Sequence, residues 1–497
     1  MNYISTRDKG VKVSAKTAIA HGISQEGGLF VPENLPTFTP AQLENLKNAG
    51  YRTIAKTVLS GFLTDYSAEE LGACVDAAYT SRKFESDEIA PLHRLSGTAS
   101  VLELWHGPTC AFKDMALQIL PHLMMTAARS VLDGKEIVIL VATSGDTGKA
   151  ALEGFRDVDG TRIMVFYPED GVSQVQKLQM NTQEGKNVSV CGIHGNFDHA
   201  QSAVKAIFTD PDMRAQLASN KMIFSSANSI NWGRLVPQIV YYIASYCRLL
   251  KNEEIKAGDK VNFVVPTGNF GDILAGYYAM KMGLPVGKLI CASNANNVLT
   301  DFINTGVYDK NRPFYTTTSP SMDILISSNL ERLLFDLYDR DDAAVRQLMQ
   351  ELARDGRYAV SEAVLQRLQQ HFVAGCADDR ETAETIADTF SKFNYLCDPH
   401  TAVAVKVYTD YYRQTGDLTK TVIVSTASPY KFSGDVLKAL APQETADDAF
   451  AVLDRLEEKT GLAAPRQLKE LREKPVRFSQ VCEKEEMAQV VRRSLHL

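Results

Sequence analysis

The chain has 497 residues, 45% of them hydrophobic and 23% charged, with a net charge of −7. That is ample apolar material for a large core, and the length suggests two to four domains. The acidic balance argues against nucleic acid or an anionic membrane as the main partner, and no apolar run approaches the roughly 20 residues needed to cross a bilayer.

The amino-terminal stretch MNYISTRDKGVKVSAKTAIAHGI lacks the apolar core of a secretory signal. It is basic and bears Ser and Thr, so a transit peptide stays a minor alternative to a cytoplasmic location. Eight cysteines are spread along the chain without a CxxC pair, as expected for reduced thiols in the cytosol.

In chain order, residues 1–90 mix short strand-like pieces with amphipathic helices such as 41–63. Short apolar runs then alternate with helices. EIVILVA (136–142), RIMVFYP (162–168), VNFVVP (261–266), KLICAS (288–293) and TVIVST (421–426) are continuous and mostly β-branched. That pattern suits parallel strands covered on both faces, and the alternation with helices such as 233–251 predicts an α/β protein with parallel sheets. The segment 325–395 is charged and reads as a helical insertion. The expected division is an N-terminal α+β segment (1–90), a large α/β unit (91–140 and 236–440), a smaller α/β unit (141–235) and a helical tail (441–497).

Chemistry concentrates in turns that follow strands. HGPTCAFKDMALQ (106–118) places Lys113 behind Ala111 and Phe112 and ahead of Met115, Ala116 and Leu117. A lysine on an ordinary amphipathic helix faces water, but one in a small dry pocket can lose its proton and act as nucleophile or base. After 136–142 comes a hydroxyl-rich turn, Ser144, Gly145, Asp146, Thr147 and Gly148, whose amides and helix start can cradle an anion. It is no Walker A loop, because Ala150 follows Lys149 and Thr143 replaces the first glycine. The polar run SSANSINWGR (225–234) offers neutral donors at Asn228, Ser229 and Asn231, and a planar fork at Arg234 suited to phosphate or carboxylate. After 261–266, Gly268, Asn269, Phe270 and Gly271 form a second nest, while Asp272 would repel a phosphate and reads also as a helix cap. Thr426 closes the last strand, where a structural N-cap region is the bland alternative. CDPHT (397–401) gathers Cys, Asp and His, yet Asp398 as N-cap with Pro399 at the first helical position accounts for it without a metal.

A lysine with two anion-binding turns makes pyridoxal phosphate a natural cofactor, one turn holding its phosphate and the other a substrate carboxylate. HGPTCAFKDMALQ, ATSGDTG, NSIN..R, PTGNFGD and STASPYKF, with GGLFVPENLP (27–36), occur in the order and approximate spacing of the threonine synthase family. The chain resembles the longer branch of that family over most of its length. The resemblance implies the tryptophan-synthase-β-like fold type II, with the large unit binding the cofactor. It also implies conversion of O-phospho-L-homoserine and water to L-threonine and phosphate, the last step of threonine biosynthesis, by a monomer or homodimer. Carried over residue by residue, Lys113 is the Schiff-base lysine and proton shuttle. Gly268, Asn269, Phe270, Gly271 and Asp272 belong to the loop for the cofactor phosphate, and Thr426 meets the pyridine nitrogen. Ser144, Gly145, Asp146, Thr147 and Gly148 face the substrate carboxylate and the cofactor's ring oxygen. Asn228, Ser229 and Arg234 match the site of the substrate phosphate. No metal is expected. Ser428 and Tyr430 depart from the family's usual His and Ala, and Cys110 from its usual Leu. A sibling lyase of phosphorylated or hydroxylated amino acids and a non-catalytic regulator are the alternatives, against which Arg234 and the retained Lys113 respectively weigh.

Overall fold

The continuous apolar runs become strands of two parallel sheets, which the computed structural model describes over residues 1–143, 145–444 and 448–497, with Asp198 described by its backbone alone. In the first sheet, Phe372–Cys376, Val286–Ser293, Val261–Pro266, Thr421–Ser425 and Ala99–Glu103 run parallel in that spatial order, and Leu92–Arg94 adds an antiparallel edge. In the second, Val481–Cys482, Val188–Ile193, Thr161–Pro168, Glu136–Ala142 and Met222–Ser225 are all parallel. Every residue of Val261–Pro266 is buried, as a central strand covered on both faces requires.

Three expectations need correction. Glu136–Ala142 pairs with Thr161–Pro168 on one side and Met222–Ser225 on the other, so it belongs wholly to the second sheet. A boundary between residues 140 and 141 would cut that strand. The insertion is not purely helical. It carries the helices Leu330–Leu337, Asp342–Asp355, Glu362–His371 and Asp379–Phe393, but Arg357–Ala359 pairs with Val307–Asp309, and Phe372–Cys376 forms an edge of the first sheet. The tail likewise supplies an edge strand, Val481–Cys482, before its last helix Met487–Leu495. Strands this short, set among charged helical stretches, leave no readable period in the sequence.

The amino-terminal segment is a three-stranded antiparallel sheet (Lys12–Val13, Tyr3–Ser5, Phe30–Pro32 in spatial order) with four helices. Its helix Tyr51–Phe62 buries Tyr51, Ile54, Ala55, Val58, Leu59 and Phe62, an i, i+3, i+4 stripe, against the long helix Trp232–Lys251. Trp232 is fully buried at the junction, with its ring 5.5 Å from Tyr3, 5.7 Å from Phe62 and 5.7 Å from Tyr278. No helix among the described residues is long and apolar enough to cross a membrane.

Parallel strands put their carboxyl ends on one side, where open α/β sheets place their ligands. The turns carrying Lys113, Thr426 and Gly268 follow three adjacent strands of the first sheet, and those carrying Asp146 and Arg234 follow two adjacent strands of the second.

Trp232→Ala removes the ring shared by the amino-terminal segment and the long helix. We expect it to cost about 3–5 kcal/mol in urea denaturation, the usual range for deleting a fully buried aromatic.

Candidate active site

Lys113 is held by its own turn and by the turn after Thr421–Ser425. Asp114 accepts from the Thr109 amide and hydroxyl, both at 2.8 Å, and Cys110 adopts a left-handed φ of 58° that completes the bend. The Phe112 amide donates to the Thr426 carbonyl at 2.8 Å, the Ser428 amide donates to the Cys110 carbonyl at 3.0 Å, and Ala111 bridges Ala427. The side chain of Lys113 is partly exposed, and its amine lies 4.2 Å from the Phe112 ring centroid. Among the described residues it has no hydrogen-bond or ion-pair partner. Burial lowers its pKa first and the charge of Arg234 lowers it further, against Asp146 and Asp272, to about 8 from an ordinary 10.5.

The turn at 267–271 is closed from above by the start of the insertion. Ser327 donates to the Gly268 carbonyl at 2.7 Å, and Asn329 donates to the Asn269 carbonyl through its amide at 3.1 Å and its side chain at 3.0 Å. A Cβ at Gly268 would stand 2.6 Å from the Ser321 carbonyl oxygen, so only glycine fits. Phe270 is left-handed, with φ 61°, a costly conformation for a bulky residue that turns the chain into the helix Gly271–Lys281. Asp272 does not cap that helix. Its Oδ1 accepts from Tyr241 at 2.6 Å and Tyr242 at 2.7 Å, while its Oδ2 is buried without a partner. Burial raises its pKa, against the two tyrosines and Lys113, to about 6.

In the turn after Glu136–Ala142, the Gly145 and Gly148 amides donate to the Thr143 hydroxyl at 3.0 and 2.9 Å. Those two donors are therefore engaged within the loop, and Asp146 and Thr147 begin the helix Asp146–Phe155 with amides free of any partner among the described residues. Ser144 lies outside the described residues. The Asp146 carboxylate is paired with Lys431 at 2.6 Å.

Asn231 caps the helix Trp232–Lys251 and donates to Ile19 O at 2.9 Å and Ser226 O at 2.8 Å, which fixes the polar loop to the amino-terminal segment. Asn228 is exposed, and its side-chain oxygen accepts the Ser229 amide at 2.6 Å. Arg234 is buried. Its Nη1 donates to Ala227 O at 2.7 Å, its Nε has no partner, and no carboxylate pairs with it among the described residues. Burial lowers even this guanidinium to about 10. A buried cation without a counter-charge is costly, and an anionic ligand would remove that cost.

Sequence reasoning missed the groups behind the loops. Arg332, 1% exposed, donates to Phe30 O at 3.0 Å, to Ile230 O at 2.6 Å and to the Asn329 side chain, so one guanidinium ties the amino-terminal sheet, the Arg234 loop and, through Asn329, the turn at 267–271 together. Its place in an amphipathic, charged stretch gave no hint of burial. Tyr241 and Tyr242 read as core, and Lys431 reads as one more charge at a helix start. Asp398 caps the helix Pro399–Thr415 as expected, and it also orients His400, whose Nδ1 is 2.6 Å away and whose Nε2 accepts the Ser321 amide at 3.1 Å. Among the described residues no three His, Cys, Asp or Glu side chains are placed to hold a metal. The departing residues have local uses. Ser428 caps the turn Pro429–Phe432, and Tyr430 donates to Leu462 O at 2.5 Å, anchoring the tail.

Residues 88–370 match the family described as pyridoxal-phosphate dependent enzymes, residues 2–79 the threonine synthase N terminus, and residues 401–492 the threonine synthase C-terminal family. Threonine synthase of Pseudomonas aeruginosa is 40% identical over 447 residues, covering 88% of this chain and 90% of that protein. The chain belongs to the threonine synthase family. A crystal structure of PLP-bound threonine synthase from Brucella melitensis superposes with a TM-score of 0.87 at 38% identity, covering 99% of both chains. The chain is also 41% identical over 461 residues to human threonine synthase-like 1, of which it spans only 61%. It thus has fold type II, in a family dependent on pyridoxal phosphate. The residues present suit that group: an unpartnered amine of lowered pKa stands on the same sheet as a glycine turn that opens a helix, and a buried arginine lacks its anion.

In the cofactor-free protein, acetic anhydride labelling of Lys113, read by peptide mass spectrometry, should rise with pH to a midpoint near 8, because only the neutral amine reacts. Arg234→Gln should move that midpoint upward, since it removes a positive charge that favours deprotonation. A midpoint near 10.5 in the parent would contradict the burial of the amine.

Proposed function

We propose that this threonine synthase family member converts O-phospho-L-homoserine and water to L-threonine and inorganic phosphate. The observation that carries the reading is Arg234, a buried guanidinium with a free Nε and no carboxylate partner among the described residues, within electrostatic reach of the Lys113 amine. A substrate that brings a phosphate supplies the missing counter-charge, which a substrate with a neutral leaving group does not.

Bound pyridoxal phosphate supplies the electron sink that lets protons leave carbon. The large unit would hold it, with Lys113 at its aldehyde, the amides at 268–271 toward its phosphate, Asp272 behind that turn and Thr426 toward its ring nitrogen. The Lys113 amine would take the proton from Cα and then one from Cβ, for which a pKa near 8 is well matched. Phosphate departs from Cγ toward Arg234, Asn228 and Ser229. Arg234 offsets the charge that gathers on the leaving oxygen, an effect typically worth a few kcal/mol per donor. The two protons then return through Lys113, one to Cγ after phosphate is lost and one to Cα after water adds at Cβ, while the proton that the water gives up goes to the departed phosphate. The start of the helix Asp146–Phe155, with the free amides of Asp146 and Thr147 in a turn that Gly145 and Gly148 shape, would hold the substrate carboxylate beside Ser144. All eight cysteines are unpaired, seven of them buried, which supports a reducing, cytoplasmic setting.

Measuring phosphate and threonine released from phosphohomoserine tests the reading. Equal amounts of both are expected, and a keto acid without threonine would instead identify a sibling lyase. Lys113→Ala should abolish turnover and the visible absorbance band of the lysine-linked cofactor. Arg234→Ala should lower kcat/KM by about 10²–10³ while changing cofactor affinity less than about threefold; equal loss of both would contradict its assignment to the leaving group.

A further inference from the structure

Asp146 presents a difficulty for the loop it occupies. The substrate is anionic at its carboxylate and at its phosphate, and a carboxylate at the mouth of the carboxylate-binding turn should repel it. The structure places a lysine where that charge is cancelled. The Nζ of Lys431 lies 2.6 Å from Asp146 Oδ1, and neither side chain has appreciable exposed surface. The same ammonium donates to the Thr109 carbonyl at 3.0 Å. Gln176 donates to Asp146 Oδ1 at 3.0 Å, and Ser321 reaches Oδ2 at 3.4 Å.

The connectivity of this group is as informative as its charge. Lys431 follows the strand Thr421–Ser425 of the first sheet, five residues beyond Thr426. Asp146 follows Glu136–Ala142 of the second sheet. Thr109 lies in the turn that ends at Lys113 and is itself bonded to Asp114. One ammonium thus joins three of the turns that form the site and bridges the two sheets. A surface ion pair would contribute little, but this one is desolvated, so removing either partner strands a buried charge beside the other ligand-facing groups.

We propose that Lys431 is a positioning residue that neutralises Asp146 and sets the turn at 145–148 so that it accepts the substrate's carboxylate. It acts through Asp146, with which its ammonium is paired. The proposal rests on the assignment of that turn to the carboxylate. It predicts that the neutrality of the pair matters more than the identity of either member, and that the penalty for disturbing it falls on ligands that carry a carboxylate.

Lys431→Met, Asp146→Asn and the double variant, each loaded with pyridoxal phosphate, test it. The probes are 2-amino-5-phosphonopentanoate, an isostere of phosphohomoserine that cannot lose its phosphorus group, and 4-aminobutylphosphonate, the same molecule without the carboxylate. Dissociation constants come from calorimetry. Lys431→Met should weaken the first probe about 30-fold or more, the second by less than about threefold, and the double variant should recover at least about tenfold of that loss. Retained binding of the second probe shows that the single variant is folded. Equal weakening for both probes, or a double variant as weak as the two single losses combined, would overturn the proposal and leave the pair a structural tie. A parent enzyme that binds neither probe would overturn the site assignment, and this proposal with it, whereas a parent that binds the first probe with the wrong variant pattern overturns this proposal alone.

Discussion

The site depends on a short length of backbone pairing. Residues 110–112 run beside residues 426–428, joined by the Phe112 amide on Thr426, the Ser428 amide on Cys110 and the bridge from Ala111 to Ala427. That pairing extends the contact of two neighbouring parallel strands past their carboxyl ends and sets Lys113 at a fixed distance from Thr426. A lysine side chain has four rotatable carbons and ordinarily wanders. Here that pairing anchors the root of the side chain, which narrows the region the amine can reach. A left-handed Cys110 and the Asp114–Thr109 hydrogen bonds are what such a sharp turn requires, and backbone strain of this kind is commonly found at functional sites.

Around that amine, charge is left deliberately unbalanced in some places and balanced in others. Arg234 keeps a free Nε and Asp272 a free Oδ2, each buried, and each shifts in pKa in the direction that burial dictates. Asp146 and Lys431, equally buried, satisfy one another, and Asp146 is held down at about 2, mainly by that lysine, against the effect of burial. Unpaired groups are expensive to keep in an empty protein, whereas paired ones are not. The difference separates Arg234 and Asp272, which keep unmatched polar atoms, from Asp146 and Lys431, which do not.

The support for this arrangement comes from distant sequence. Arg332 in the insertion, Phe30 in the amino-terminal sheet, Ile230 beside Arg234 and Asn329 over the Asn269 carbonyl form one hydrogen-bonded cluster. The amino-terminal segment packs behind the Arg234 loop through Asn231 and Ile19, and it meets the insertion through Arg7, whose guanidinium lies 2.7 Å from Glu331. The segment is therefore a structural neighbour of both the Arg234 loop and the turn at 267–271.

The sequence by itself determined the strand cores, the α/β class, the anomalous lysine and the glycine turns. These are local properties: burial on both faces forces continuous β-branched runs, and a tight turn at a helix start forces glycine. It also carried the order of motifs that marks the family. It did not determine the role of Asp272, which reads as a cap and is held instead by two tyrosines from another helix, nor the two short edge strands in the insertion and tail. Only the tertiary structure decided that Lys431 cancels Asp146, that Arg332 is buried, that Arg234 has no carboxylate partner among the described residues and that five separate turns lie at the carboxyl ends of their sheets. Those outcomes depend on which strands become neighbours and on which charges lose their water, and pairing across hundreds of residues leaves no period or spacing in the chain.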